Sequence, residues 1–275
     1  MHVLEEGTNA MDVNLAVLFI AGIIAASLGS LVGAGGGFLL IPLLLFLLPS
    51  NTSAGIIGGM SLSLALTNGL ISSVGYRKQR RIHYKWGLIF ASGSITGAII
   101  GATVVQFISR DIYQIIFGTI LILLTLYLLV RPAPQTGSSS TTADEGAPPP
   151  RIVPGVLLGL PIGFIAGLVG IGGGIVLVPA IVYAFRFVPH IATATSVFTI
   201  IFTSLAAILV RTITLNLEAH LIGIMVVVAG ALIGGRIGPV LSQKISGQWL
   251  MRVLSVALGI TGATLTMRGL GVITM

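Results

Sequence analysis

The chain contains no cysteine among its 275 residues, and only 8% of them are charged. The first absence removes disulfides, thiolate metal sites and cysteine nucleophiles, and it leaves the redox compartment open. The second, together with 55% hydrophobic residues and a mean hydropathy of +1.08, excludes a soluble domain, which has no way to hide so much apolar surface. Acidic residues number only seven, and none lies in the interior of a run long enough to span a bilayer. The carboxylate relay of proton-coupled carriers is therefore missing. No acid/base pair or metal-ligand set recurs at working spacing, so the sequence reads as neither an enzyme nor a cofactor or metal protein. The formal charge of +7 sits at the ends of apolar runs, which fits membrane orientation and not nucleic-acid binding.

What is present is a repeat. Residues 31–43 read Leu-Val-Gly-Ala-Gly-Gly-Gly-Phe-Leu-Leu-Ile-Pro-Leu, and residues 168–180 read Leu-Val-Gly-Ile-Gly-Gly-Gly-Ile-Val-Leu-Val-Pro-Ala. Four glycines and one proline (Pro42, Pro179) recur in register at an offset of 137. Inside a helix Gly costs roughly 1 kcal/mol and Pro about 3 relative to Ala, so something other than helix stability retains them. In lipid, backbone that leaves the helix is tolerated only against protein or a wet cavity. Matched breaks in two halves are the best sequence pointer to a transporter's binding site. The plainer alternative is that the glycines only let helices approach closely.

The expected organisation is an extramembrane N-terminus (1–12), a first transmembrane repeat (13–130), a flexible Pro/Ser/Thr-rich linker (131–151) and a second repeat (152–275). Val13–Val32 is too long for a signal peptide's apolar core and reads as a retained span. Each half is expected to hold four full spans plus a short helix after its Gly-rich break, giving an all-α polytopic membrane protein. Phe38–Leu48 and Ile175–Phe185 are the short segments, and Pro189-His190 is expected to be a turn. Gly93, Gly97 and Gly101, spaced by four, form a packing stripe.

Charge bears on topology. If the short segments cross the membrane the halves are inverted; if they are re-entrant the halves are parallel. With the basic stretch 75–85 placed in the cytoplasm, the crossing arrangement puts the acidic N-terminus, the Arg110-Asp111 loop and Glu218 outside. It puts the linker and the end carrying Arg236, Lys244 and Arg252 inside, which the positive-inside rule favours.

Two groups are candidates for binding. The breaks themselves (Gly33, Gly35, Gly36, Gly37 and Gly170, Gly172, Gly173, Gly174) would present uncapped helix N-termini to a small oxyanion. The spans that follow carry hydroxyls and an amide: Ser61, Ser63, Thr67 and Asn68 in the first half, and Thr193, Thr195, Ser196, Thr199, Thr203 and Ser204 in the second. Of these, Ser61, Asn68, Thr195, Ser196 and Thr199 are the narrower choice for contacts to substrate, set against ordinary bonding to the carbonyl one turn back. Arg211 and Arg236 lie near span ends, where snorkelling to headgroups is expected.

At its paired Gly-x-Gly-Gly-Gly…Pro blocks, its Ala192-Thr193-Ala194-Thr195-Ser196 stretch and its Gly-rich fourth spans, the chain resembles the TauE/SafE family of sulfite exporters. The resemblance covers nearly the whole chain, and departs at 54–61, which holds glycines and no Thr-Ser pair. It implies a secondary transporter, in the exporting direction, for sulfite or a small organosulfur or organic anion across the plasma membrane. The implied partners are that anion, the lipid bilayer and, where transport is coupled, a coupling ion; no nucleic acid is implied, and oligomeric state is open. A passive anion channel and a non-transporting scaffold are the alternatives.

Overall fold

A computed structural model describes residues 15–48, 52–130, 143, 147–215 and 220–270. The expected N-terminal segment, most of the linker and Glu218 lie outside the described residues. The first half comprises α1 (Leu15–Val32), α2 (Gly37–Leu47), α3 (Ala54–Lys78), α4 (Tyr84–Val104), a 3₁₀ turn (Val105–Phe107) and α5 (Arg110–Val130). The second repeats the order as α6 (Ile152–Val169), α7 (Gly174–Ala184), α8 (Pro189–Thr214), α9 (Leu221–Ser242) and α10 (Gly247–Gly269). Among the described residues seven helices are long and apolar enough to cross a membrane, while α2 and α7 have 11 residues each. At 1.5 Å per residue a helix of that length covers about 16 Å, roughly half a bilayer core. The architecture is that of an all-α polytopic membrane protein.

Two boundaries differ from expectation. The Pro189-His190 pair opens α8 and is not a turn, because Pro is pre-shaped for a first helical position that needs no N–H donor. The chain turns instead at 185–188, where Arg186 takes a left-handed φ of 58°. Helix α3 runs on through Arg77 and Lys78, whose charges suit the negative end of the helix dipole, so the basic connection shrinks to 79–83.

Glycine stripes set which helices pair. A methyl on Gly97 would lie 2.0 Å from the Leu160 carbonyl oxygen, and one on Gly163 would lie 2.1 Å from that of Ser94, so α4 and α6 pack backbone to backbone. The same close pairing joins α1 and α9, where Gly230 and Gly234 meet the carbonyls of Phe19 and Ile23. In both pairs the contacts advance together along the two helices, which therefore run parallel.

Helices α3 and α8 cross at the centre and run in opposite directions, since Gly58 meets Arg211 whereas Gly69 meets Ile201. Helices α5 and α10 are likewise antiparallel, Gly118 meeting Thr266 and Gly259 meeting Thr125. Helix α3 runs parallel to α9, as shown by bonds from Ser72 to the Gly235 carbonyl and from Gln79 to the Pro239 carbonyl. Helices α1 and α3 thus point the same way, and the chain between them returns through α2. One end of the bundle, the basic face, gathers residues 79–83, 147–151, 185–188 and 243–246. There Arg81 donates to the Ser242 hydroxyl and the Trp86 indole to the Pro148 carbonyl. The opposite face is held by Arg110, which donates to the Leu45 carbonyl.

Candidate functional site

The two Gly-rich breaks adopt one conformation. Gly33, Gly35 and Gly36 have φ of 80°, 79° and 92°, and Gly170, Gly172 and Gly173 have 89°, 73° and 90°. These left-handed values explain three glycines of each block, because any other residue is strained there. The fourth glycine serves close approach: a methyl on Gly174 would stand 2.1 Å from the Gly33 carbonyl oxygen, and one on Gly37 would stand 2.4 Å from Ser61 Oγ. The breaks therefore touch each other at the level where α3 and α8 cross, beside Ala65 and Ile200.

Both breaks are fully buried. In this conformation the contacts between them leave no room for an anion, so a ligand enters only if the halves part. Gly36 and Gly173 cap α2 and α7 without a side-chain hydrogen bond, and the positive ends of both short helices point into the crossing.

The polar groups around the two breaks are not used equally. At the first break Ala34 and Gly35 donate their N–H to the Gly29 carbonyl, Ser196 donates to the Gly33 carbonyl at 2.9 Å, and Asn68 donates to that of Gly35 at 3.1 Å. Ser72 then donates to Asn68 Oδ1 and fixes the amide's orientation. At the second break the N–H groups of Ile171, Gly172 and Gly173 donate no such bond, and no side chain donates to their carbonyls, among the described residues. Ser61 Oγ, beside Gly37, and Ser204 Oγ, beside Gly172, are buried without a hydrogen-bond partner, as is Thr193 Oγ1 on the residue packed against Gly33.

Of the residues singled out from the sequence, the eight glycines, Ser61, Asn68 and Ser196 come together at this crossing. Thr195 and Thr199 do not: Thr195 accepts from the His83 amide, and Thr199 donates to the carbonyls of Gly87 and Thr195, facing α4. Ser204, outside the narrower choice, does reach the break. Ser196, Ile200 and Ser204 are spaced by four and form the stripe of α8 that faces it.

Arg211 corrects an expectation. It is fully buried instead of snorkelling, donating to the carbonyls of Gly55 at 2.8 Å, Gly167 at 2.6 Å and Leu168 at 3.1 Å. Arg236, by contrast, is exposed. On the basic face a cavity of about 810 Å³ is lined by Arg77, Arg80, His83 and Lys85. No cluster of metal-ligating residues exists among the described residues.

The whole-chain comparison decides the identity of this arrangement. The family model for the sulfite exporter TauE/SafE matches residues 18–265, which takes in both breaks and all ten helices at least in part. The chain belongs to the TauE/SafE family. The chain is also similar to proteins named as probable membrane transporter proteins, two of them along nearly their whole length. YunE of Bacillus subtilis is 31% identical over 271 residues, covering 92% of this chain and 98% of the relative. MJ0441 of Methanocaldococcus jannaschii is 31% identical over 262 residues, covering 90% and 94%. No solved structure matches. A TauE/SafE protein with this helical architecture is a multi-pass membrane transporter, and the crossing of its two breaks is the candidate substrate site.

Proposed function

We propose that the protein is a secondary carrier that exports sulfite or a small organosulfur or organic anion across the plasma membrane, holding it at the crossing of the two Gly-rich breaks. The observation that carries this reading is the pair of buried, unpartnered hydroxyls, Ser61 and Ser204, set beside helix N-termini that no side chain caps. Unmade buried hydrogen bonds cost about 1–3 kcal/mol each, and a bound oxyanion would satisfy both hydroxyls and the amides around them.

The antiparallel α3/α8 and α5/α10 pairs support halves that lie inverted in the bilayer, with α2 and α7 crossing. Among the described lysines and arginines only Arg110, Arg211 and Arg268 lie toward the face opposite the basic one, which supports a cytoplasmic basic face. Its cationic cavity would gather anions for export. A centre closed by Ala65 and Ile200 fits a carrier that alternates access better than an open pore.

The test is uptake of labelled sulfite and of sulfonates into proteoliposomes, comparing the parent with Ser61→Ala and Ser204→Ala. Each variant removes an unpartnered hydroxyl, so melting temperature is expected to hold or rise while KM rises several-fold. Unchanged KM in both folded variants would remove the site from the crossing, and flux that does not saturate would replace the carrier with a channel.

A further inference from the structure

We infer that the two breaks are not equivalent: the anion is anchored on the second, Gly170–Gly174, and Arg211 supplies its positive charge. This inference rests on the anion-carrier reading and adds to it a charged binding residue and a sidedness.

The two halves bond the end of the helix before each break with different side chains. Tyr76 on α3 donates to the Ser30 carbonyl near the end of α1, and Arg211 on α8 donates to the Gly167 carbonyl near the end of α6. Ser30 and Gly167 are separated by the 137 positions that separate the breaks, and Tyr76 and Arg211 by 135. The two side chains do the same job in the two halves, donating to a carbonyl in the last turn of the helix that precedes each break. A neutral hydroxyl suffices in the first half. A guanidinium in the second is more than capping requires, because a buried charge without a counter-ion costs several kcal/mol.

No carboxylate contacts Arg211 among the described residues, and its buried Nε–H has no partner. The carbonyl ends of α6 offset part of the charge, since a helix C-terminus carries about half a negative charge, and part is left over. Space for the guanidinium is made on the other half of the molecule. A methyl on Gly58 would lie 1.9 Å from an Arg211 terminal nitrogen, and a methyl on Gly170 would lie 2.5 Å from the Gly58 Cα. Arg211 thus stands one backbone layer from the first glycine of the second break, and Ser61 follows Gly58 by one turn of α3. This also explains why residues 54–61 hold glycines where the second half has hydroxyls.

Among the buried side-chain groups without partners around the crossing, Ser204 Oγ lies beside Gly172, Arg211 with its free Nε stands one backbone layer from Gly170, and Ser61 Oγ lies beside Gly37, where the Gly170 carbonyl oxygen also stands, while Thr193, packed on Gly33, belongs to the first break. The carbonyls of the first are already taken by Ser196 and Asn68. An oxyanion seated at Gly170–Gly174 would accept from the hydroxyls and the Ile171–Gly173 amides and neutralise the guanidinium. In an interior of low dielectric that neutralisation is the largest contribution to affinity.

The experiment measures thermal stabilisation of the detergent-purified full chain by sulfite, sulfate, sulfoacetate and taurine, for the parent, Arg211→Gln, Arg211→Lys, Gly58→Ala and Tyr76→Phe. The expected result is that the most stabilising anion needs at least 30-fold higher concentration with Arg211→Gln, about 3- to 10-fold with Arg211→Lys, and within 2-fold of the parent with Tyr76→Phe. Should Arg211→Gln not yield monodisperse protein, Gly58→Ala, which keeps the charge and displaces it, is expected to need at least 5-fold more. A folded Arg211→Gln or Gly58→Ala protein with parental response overturns the role of Arg211 and leaves the carrier reading standing. A parent stabilised by none of the anions overturns both. An equal loss in Tyr76→Phe and Arg211→Gln would overturn the sidedness, because capping alone would then account for the effect.

Discussion

At the scale of single residues, the breaks show how a few backbone torsions constrain composition. Gly36 and Gly173 hold φ near 90°, where a side chain costs about 1–2 kcal/mol from the torsion alone. A methyl on Gly36 would also press within 2.5 Å of the Ala25 carbonyl oxygen, whereas the nearest atom to a methyl on Gly173 is the Ala166 Cβ at 3.0 Å. Gly36→Ala is therefore expected to destabilise the protein more than Gly173→Ala, by a margin of about 1–3 kcal/mol from overpacking. Denaturation of both variants in the same detergent checks the order; equal losses would mean that torsion alone governs these sites. Arg211 marks the limit of reading residues one at a time. Three positions from the end of α8 it looks free to reach headgroups, and only the glycines of α3, far away in sequence, reveal that the interior has room for it.

Helices interact here through glycine faces more than through side-chain knobs. The stripe in α4 is legible from its spacing of four, but its partner is not, because α6 and α9 carry stripes of the same kind. In the folded chain α4 meets α6 and α1 meets α9, so the first helix of each half packs on the fourth of the other. Gly97→Leu and its counterpart Gly234→Leu would drive side chains into backbone 2.0 Å and 2.4 Å away, and both are expected to abolish monodisperse protein on size-exclusion chromatography. Ile99→Leu, on the exposed side of α4, is expected to be silent. A well-folded Gly97→Leu protein would contradict the backbone-to-backbone pairing.

The same scale explains why the polar face of α8 was only partly legible. Nearly every residue from Pro189 to Ser204 is buried, so hydrophobicity does not reveal which stripe faces the break and which faces α4. Ser196 and Ser204 fall on one stripe, and Thr195 and Thr199 on the other. The breaks themselves were readable because left-handed torsions admit almost nothing but glycine.

Across the whole molecule, the repeat in sequence becomes a set of interfaces that recur with the halves exchanged. The helix directions give the inverted arrangement a concrete test, made easy by the lack of native cysteine. Single cysteines at Ser53 and at Arg186, the corresponding connections of the two halves, are expected to react with an impermeant thiol reagent from opposite sides of the membrane. Labelling of Ser53→Cys from outside and of Arg186→Cys only after permeabilisation supports inversion; labelling of both from one side would return the halves to a parallel arrangement.

Carrying an anion through this frame requires that the closed crossing open and that its unmade hydrogen bonds find a partner. Selenite, the heavier analogue of sulfite, allows that partner to be located directly by anomalous scattering from co-crystals. The expected result is a selenium peak within hydrogen-bonding reach of Ser61 and Ser204 beside the Gly170–Gly174 turn. A peak confined to the basic cavity around Arg77 and Lys85, with the crossing empty and closed, would contradict it.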